Sequence, residues 1–323
     1  MNMRTFAAMA AAAGLMSMMA GAAAASFPCK EIKIYVPVIG GTMDYLARVV
    51  APKLSAALGP SVIVENRPGA GGDIATNVVA KAKPDGCSLL IGFNGPLAVD
   101  MSLLKQLPYN PIKDLAPISL SVTLPEVLVV NPKVPVTSVA QLVAYSKAHP
   151  EALSYGSIGI GSMSNLTMEL FKSETGAKLV HVPYKGAAPV VTALLGDHVQ
   201  AAFLVAANVL PYLKTGQLRA LVVTGEHRMS VAPDVPTLIE SKLPKSNAVP
   251  WIGFLTTAGT PKSLIDTYHE QITRIINLPE IRQRLVALRF TIVNSTPGEF
   301  EHQIVTESAM WHHIIGKLGI QPH

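Results

Sequence analysis

Ile32-Lys33-Ile34-Tyr35-Val36-Pro37-Val38-Ile39-Gly40-Gly41-Thr42 is the stretch that decides the fold. A short apolar run is closed by Pro37, and two glycines lead into a segment with Leu46, Val50, Leu54 and Leu58 at a spacing of four. That spacing lays one apolar stripe along a helix from about Thr42 to Leu58. Pro52 falls inside it, where a missing N–H predicts a kink, and Gly59-Pro60 ends it. Val62-Ile63-Val64 is the next strand. Arg67-Pro68-Gly69-Ala70-Gly71-Gly72 turns the chain into a second helix ending near Ala82, and Pro84-Asp85-Gly86 returns it to a strand from Ser88 to Phe93. Strands alternating with helices across short turns form a βαβαβ unit on a parallel sheet.

The alternation continues to the end of the chain. Strands are expected at Ile118 to Val122, Val127 to Val130, Leu153 to Gly156, Lys178 to Val182, Val199 to Phe203 and Leu218 to Val223. Helices are expected at Ser138 to Ala148, with Ser138 as N-cap, at Ser162 to Thr175 and at Ala187 to Leu195. Pro233, Pro236, Pro244 and Pro250 mark an irregular return segment. Beyond it come strand Ile252 to Leu255, helices near Lys262 to Asn277 and Pro279 to Leu288, and strand Phe290 to Val293. A last helix, Pro297 to about Leu318, sets Phe300, Ile304, Ser308, Trp311, Ile315 and Leu318 on one face, and is expected to pack outside the first α/β unit.

The N-terminus bears on destination. Arg4 precedes an uncharged run from Thr5 to Ala25 that closes in Gly21-Ala22-Ala23-Ala24-Ala25-Ser26. One positive charge, an apolar stretch and small residues make a secretory signal, cut near Ala25. A retained membrane anchor is the alternative, and a run of Ala, Gly, Met and Ser makes a weak one. The remaining chain is long enough for two lobes with separate cores. Formal net charge is +5, the basic residues are scattered and aromatic residues are 6% of the chain. That excludes a nucleic-acid binder, which needs a basic patch with stacking rings. A mild positive field suits small anions. Cys29 and Cys87 each sit just before an apolar run. If those strands are parallel neighbours, an export compartment allows a disulfide between them; two free thiols are the alternative.

Two segments share one design. Tyr35 to Thr42 and Tyr155-Gly156-Ser157-Ile158-Gly159-Ile160-Gly161-Ser162 both read strand, glycines, then a helix opened by a hydroxyl residue. The first N–H groups of a helix are unpaired and carry partial positive charge, so such a turn attracts anions. In an open α/β sheet these turns lie beyond the C-terminal strand ends, where ligands gather. Facing turns from two lobes would grip a molecule anionic at both ends, for which a dicarboxylate is the simplest candidate. Glycine turns that merely pack tightly are the alternative. Asp44, in the first helical turn, complements the dipole and is given a structural role, since it would repel a carboxylate.

The chain resembles the periplasmic receptors of tripartite tricarboxylate transporters, the Bug family. The landmarks are Val64-Glu65-Asn66-Arg67-Pro68-Gly69-Ala70-Gly71-Gly72, Ala82-Lys83-Pro84-Asp85-Gly86, His181-Val182-Pro183-Tyr184-Lys185-Gly186 and Pro233-Asp234-Val235-Pro236-Thr237. The resemblance implies an α/β Venus flytrap of type II-like architecture, each lobe a mixed, mostly parallel sheet flanked by helices. One lobe would take residues 26–124 and 250–323 and the other 125–249, hinged near Leu124-Pro125 and Asn247 to Pro250. It implies a small organic carboxylate as ligand, delivery to cognate membrane permease subunits, a monomeric periplasmic receptor, and neither catalysis nor cofactor. Carried across, ligand contacts fall on Val38, Ile39, Gly41, Thr42 and Met43; on Asn94 and Gly95; on Gly159, Gly161, Ser162, Met163, Ser164 and Asn165; and on Lys185 and Leu204. Val38 stands where the family usually has Phe, Asn165 where His is common, Leu204 where many members carry Asp, and Cys87 where Tyr is usual.

An exported α/β enzyme acting on a small anion is the competing class. Gly69-Ala70-Gly71-Gly72-Asp73-Ile74 lacks the third glycine of a dinucleotide motif. No G-x-S-x-G elbow is present, and Ser102-Leu103-Leu104-Lys105 lacks the Ser-Asp-Asn partner of penicillin-binding enzymes. His302, His312 and His313 lack metal-ligand spacing.

Overall fold

A computed structural model describes residues 28–229 and 231–319. The export signal and its cleavage near Ala25 lie outside the described residues, as does the side chain of Leu318.

The opening stretch folds as its pattern dictates. β1 (Glu31–Val36) points Ile32, Ile34 and Val36 into one core and Tyr35 into another, the period of two that a strand imposes. α1 (Gly41–Leu58) buries Leu46, Val50 and Leu54, and the helix runs on through the exposed Pro52. β2 (Ser61–Asn66), α2 (Asp73–Ala80) and β3 (Ser88–Phe93) complete the unit, with β1 parallel to both β2 and β3. One short helix, α3 (Asp100–Leu103), follows a π-turn over Gly95–Val99 and was not legible in the sequence.

Two sheets result. The first has strand order β11-β4-β10-β3-β1-β2, adding β4 (Leu115–Thr123), β10 (Trp251–Thr257) and β11 (Thr291–Ile292). The second has order β7-β6-β8-β5-β9, built from β5 (Glu126–Val130), β6 (Ser154–Ser157), β7 (Val180–Pro183), β8 (Ala201–Val205) and β9 (Arg219–Val223). Helices cover both faces of each. On the first sheet α1, α8 (Lys262–Ile276) and α9 (Pro279–Ala287) pack on one side, α2 and α10 (Pro297–Leu318) on the other. On the second, α4 (Val139–Ala148) and α5 (Met163–Thr175) face α6 (Ala187–Leu195) and α7 (Ala206–Lys214) across the strands. Ser138 caps α4 by accepting from Gln141 N.

Each sheet is mixed, as expected, but parallel pairing does not predominate: among the described residues five of the nine strand pairs are antiparallel, β11 with β4 included. Parallel pairs join β1 to β2 and β3, and β6 to β7 and β8; β10 is antiparallel to β3 and β4, and β5 to β8 and β9. The cause is topological. β5 enters the second sheet from the first, and β10 enters the first from the second, so each runs opposite to its neighbours. The two crossings are tied together where Leu124 N donates to Pro250 O at 2.8 Å.

The C-terminal helix does more than cover the first unit. Phe300 and Ile304 pack with Tyr35, Leu90 and Trp251 on the first sheet. Two turns further, Trp311 and Ile315 join Val99 and Leu103 to Leu166 and Leu170 of α5, an apolar seam between the lobes. Glu307 anchors the helix, accepting from Trp251 Nε1 at 2.6 Å and from Trp311 Nε1 at 3.0 Å.

Candidate ligand-binding cleft

Strand register locates the two glycine turns. Tyr35 pairs with Leu90 and Phe93 with Ile252, so the C-terminal ends of β1 and β3 lie at the end where β10 begins. Trp251 pairs with Thr123, and that end faces the crossing to β5. In the second sheet Glu126 pairs with Val205 and Tyr155 with Ala201, so β6 and β8 also end toward the crossing. Both turns therefore emerge between the lobes. The second turn lies against the first lobe: a Cβ placed on Gly161 would meet Leu103 Cδ1 of α3 at 2.5 Å. Gly161 also has φ +76, a backbone conformation that favours glycine there.

The first turn is held open by a small polar clasp. Gly40 and Gly41 have φ of 72 and 74, which glycine adopts freely. No atom lies within 4 Å of a Cβ built on either, so these glycines border open space rather than a packed wall. Asp44 is buried and accepts from Gly40 N at 3.2 Å, Arg48 Nε at 3.0 Å and Asn66 Nδ2 at 2.7 Å. Asn66 Nδ2 also donates to Val38 O at 2.6 Å. The hydrogen bond from Arg48 is the main cause holding the Asp44 carboxyl below the usual range. α1 has no side-chain N-cap, so the N–H groups of Gly41, Thr42 and Met43 keep the free donors of a helix start. Asp44 thus serves the turn's shape, as expected.

The second turn is braced from inside. Ser162 is the N-cap of α5: its Oγ accepts from Asn165 N at 3.4 Å and donates to Gly159 O at 2.6 Å. Ser164 Oγ accepts from Ile158 N at 3.0 Å, and Asn165 Oδ1 from Gly161 N at 3.0 Å. Asn165 Nδ2 donates to Tyr155 Oη at 2.7 Å, and that hydroxyl donates to Glu169 at 2.6 Å. Ser157 Oγ lies 2.7 Å from His181 Nε2, and the imidazole stacks on Tyr155 at 4.7 Å. Burial is the leading cause pushing the His181 pKa down.

The residues expected at the ligand therefore divide. Ile39, Gly41, Thr42, Gly159, Gly161 and Ser162 lie on the turns themselves, and Val38 and Met43 are half-buried beneath the first. Met163 packs into the interlobe seam. Ser162, Ser164 and Asn165 spend their side chains inside the turn, so the amides they organise remain rather than the side chains. Asn94 is 1% exposed; its Nδ2 donates to Glu307 at 2.5 Å and its Oδ1 accepts from Trp251 N at 2.8 Å. It fastens β3 to β10 and α10 instead of reaching a cleft. Gly95 sits against the Phe93 ring, 3.1 Å from a Cβ placed on it. Leu204 is 1% exposed in the core under α6 and α7, because the odd positions of β8 face the other way. Lys185 is exposed. Sequence reasoning missed the bracing by Tyr155, His181 and Asn66; the long-range pairings gave no local signal.

Cys29 and Cys87 are disulfide-bonded, with Cα atoms 6.1 Å apart. Lys33 pairs with Ser88 across β1 and β3, which brings the strand starts together. Two cavities lie away from the glycine turns. One of about 710 Å³ opens at the β11 and β9 edges, bordered by Pro125, His227, Trp251, Arg289 and Phe290. One of about 510 Å³ lies at the outer edge of the second lobe near Lys172, Lys178 and Lys317. Neither contains the converging helix starts. Among the described residues no cluster of His, Cys, Asp and Glu is arranged to hold a metal, and no helix is long and apolar enough to cross a membrane.

Two α/β lobes, joined by paired crossings and presenting helix-start amides at their facing edges, define a two-lobed solute-binding protein. The chain belongs to a family within that class: residues 46–320 match the tripartite tricarboxylate transporter family receptor. It is 36% identical over 296 residues to the protein BugT of Bordetella pertussis, covering 91% of each chain. A protein from R. palustris, solved with adipate, is 30% identical with a TM-score of 0.77, covering 92% of this chain and 100% of that one. MatC of Rhodopseudomonas palustris, solved with bound malate, is 28% identical with a TM-score of 0.74, covering 90% of this chain and 100% of the other. The family is one of receptors, so the chain works by binding and the enzyme reading falls.

Proposed function

We propose that the chain is a periplasmic receptor that takes a small di-, tri- or aromatic carboxylate into the interlobe cleft and hands it to its cognate membrane permease. The observation that carries this is the register that brings two helix-start turns to facing lobe edges. A carboxylate at either end of a ligand would accept hydrogen bonds from the amides of Gly41 to Met43 and from those of Ile160, Met163 and Ser164, since Gly161 N and Ser162 N already donate within the second turn. The relatives solved with adipate and malate support a carboxylate as the ligand class. One lobe comprises residues 26–124 and 250–323, the other 125–249, and they close on the hinge at Leu124-Pro125 and Asn247 to Pro250. The receptor acts as a single chain after removal of its export signal near Ala25.

A thermal-shift panel of organic acids tests this reading. A carboxylate that raises the melting temperature and is recovered unchanged supports it, since a ligand that binds only the native state stabilises it by mass action. Small-angle scattering that contracts with that ligand supports closure. A panel with no stabilising acid rejects the reading.

A further inference from the structure

We propose that three isoleucines on the glycine turns make this receptor selective for dicarboxylates with an unsubstituted apolar chain over their hydroxylated counterparts. The inference rests on the interlobe cleft being the ligand site and names its substrate class.

Two independent observations carry it. The first is exposure. Ile39 is 77% exposed, Ile160 66% and Ile158 41%, and all three stand on the two glycine turns at the strand ends toward the crossing. Large apolar side chains on a loop tip gain nothing in the open state. They are removed from water when the lobes close over a ligand, and they reward a ligand whose middle is also apolar. The second is the inventory of polar side chains. No residue from Val38 to Met43 or from Ser157 to Asn165 carries a charge. Ser157, Ser162, Ser164 and Asn165 already hydrogen-bond within the turn or to His181 and Tyr155. Among the side chains of the two turns, only the Thr42 hydroxyl has no partner among the described residues. The amides that remain are donors, which suit carboxylate oxygens. A ligand hydroxyl must also place its own proton on an acceptor, and among the side chains of the two turns only the Thr42 hydroxyl is uncommitted. Enclosing such a hydroxyl beside Ile39 and Ile160 leaves it unpaired, which is costly.

The test is calorimetric titration of the purified protein with adipate and with galactarate, its polyhydroxylated counterpart of equal length. Adipate is expected to bind at least about tenfold more tightly, the usual consequence of burying an unpaired hydroxyl. The double variant I39S/I160S should lose most of that preference by weakening adipate while holding galactarate within about twofold. Its melting temperature without ligand serves as the folding control, and the single variant I160S gives the same reading if the double variant is unstable. Galactarate binding as tightly as adipate, or a preference unchanged in the variants, overturns the selectivity alone. Failure of adipate, galactarate, succinate, malate, citrate and terephthalate to bind overturns the cleft reading with it.

Discussion

Asn66, the last residue of β2, donates its Nδ2 to Asp44 Oδ1 at 2.7 Å. The bond ties the end of one strand to the first turn of the helix that follows its neighbour. With the same nitrogen on Val38 O and Asp44 on Gly40 N, it holds the glycine turn as a loop with its amides facing out.

Replacing Asp44 with Ala should loosen that turn. We expect a loss of about 1–2 kcal/mol in stability, the range for hydrogen bonds to a charged group. Urea denaturation checks it, and affinity for a stabilising carboxylate should fall in parallel. The pH sense follows from the lowered carboxyl pKa, whose first cause is Arg48. The contribution is present above the ordinary carboxylate range and is lost as pH falls through the depressed folded value. Acid unfolding of the variant should therefore be less steep at its lowest pH than that of the parent.

Ser162→Ala removes an N-cap rather than a ligand donor. The expected cost is about 1 kcal/mol of stability, read by chemical denaturation, with a weaker and indirect loss of affinity through the unanchored Gly159 carbonyl. Affinity falling by far more than stability would place the hydroxyl at the ligand after all.

Asn94→Ala should behave as a core lesion. Glu307 and the Trp251 amide would lose a buried partner, and about 1–3 kcal/mol of stability should go with it. Melting and titration together check this: a lowered melting temperature with nearly unchanged affinity is the expected pair.

The unfolded, unreduced protein should show no free thiol in a colorimetric assay. Reduction should destabilise it by about 4 kcal/mol if loop closure in the unfolded chain is the main effect. The bridge staples the outer ends of β1 and β3, away from the cleft, so carboxylate affinity at moderate temperature should survive reduction.

Glu126 opens β5 at the crossing between lobes and is buried, and desolvation pushes its carboxyl up to about 7. Thr167 Oγ1 donates to it at 2.8 Å and partly offsets that rise. A folded pKa above the unfolded one means stability that is full below the ordinary carboxylate value and lost as pH rises to about 7. Glu126→Gln should match the parent near pH 4 and melt at a higher temperature than the parent at pH 8, as differential scanning calorimetry would show.

The sequence by itself determined the alternation of strands and helices, the parallel start, the cap at Ser138, and the two glycine turns. These depend on interactions within a few residues: apolar period, missing N–H groups and positive φ. It also marked Cys29 and Cys87 as neighbours once β1 and β3 were taken as adjacent. Only the tertiary structure decided that β5 and β10 run against their neighbours, that α10 crosses from the first lobe to the second, and that Leu204 and Asn94 are interior. Each depends on partners far apart in the chain, from about 70 residues for β5 and β8 to 213 for Asn94 and Glu307. A local pattern shows that a side chain is polar or apolar. Which element arrives to cover it, and so whether it faces a cleft or a core, is set by the packing of the whole chain.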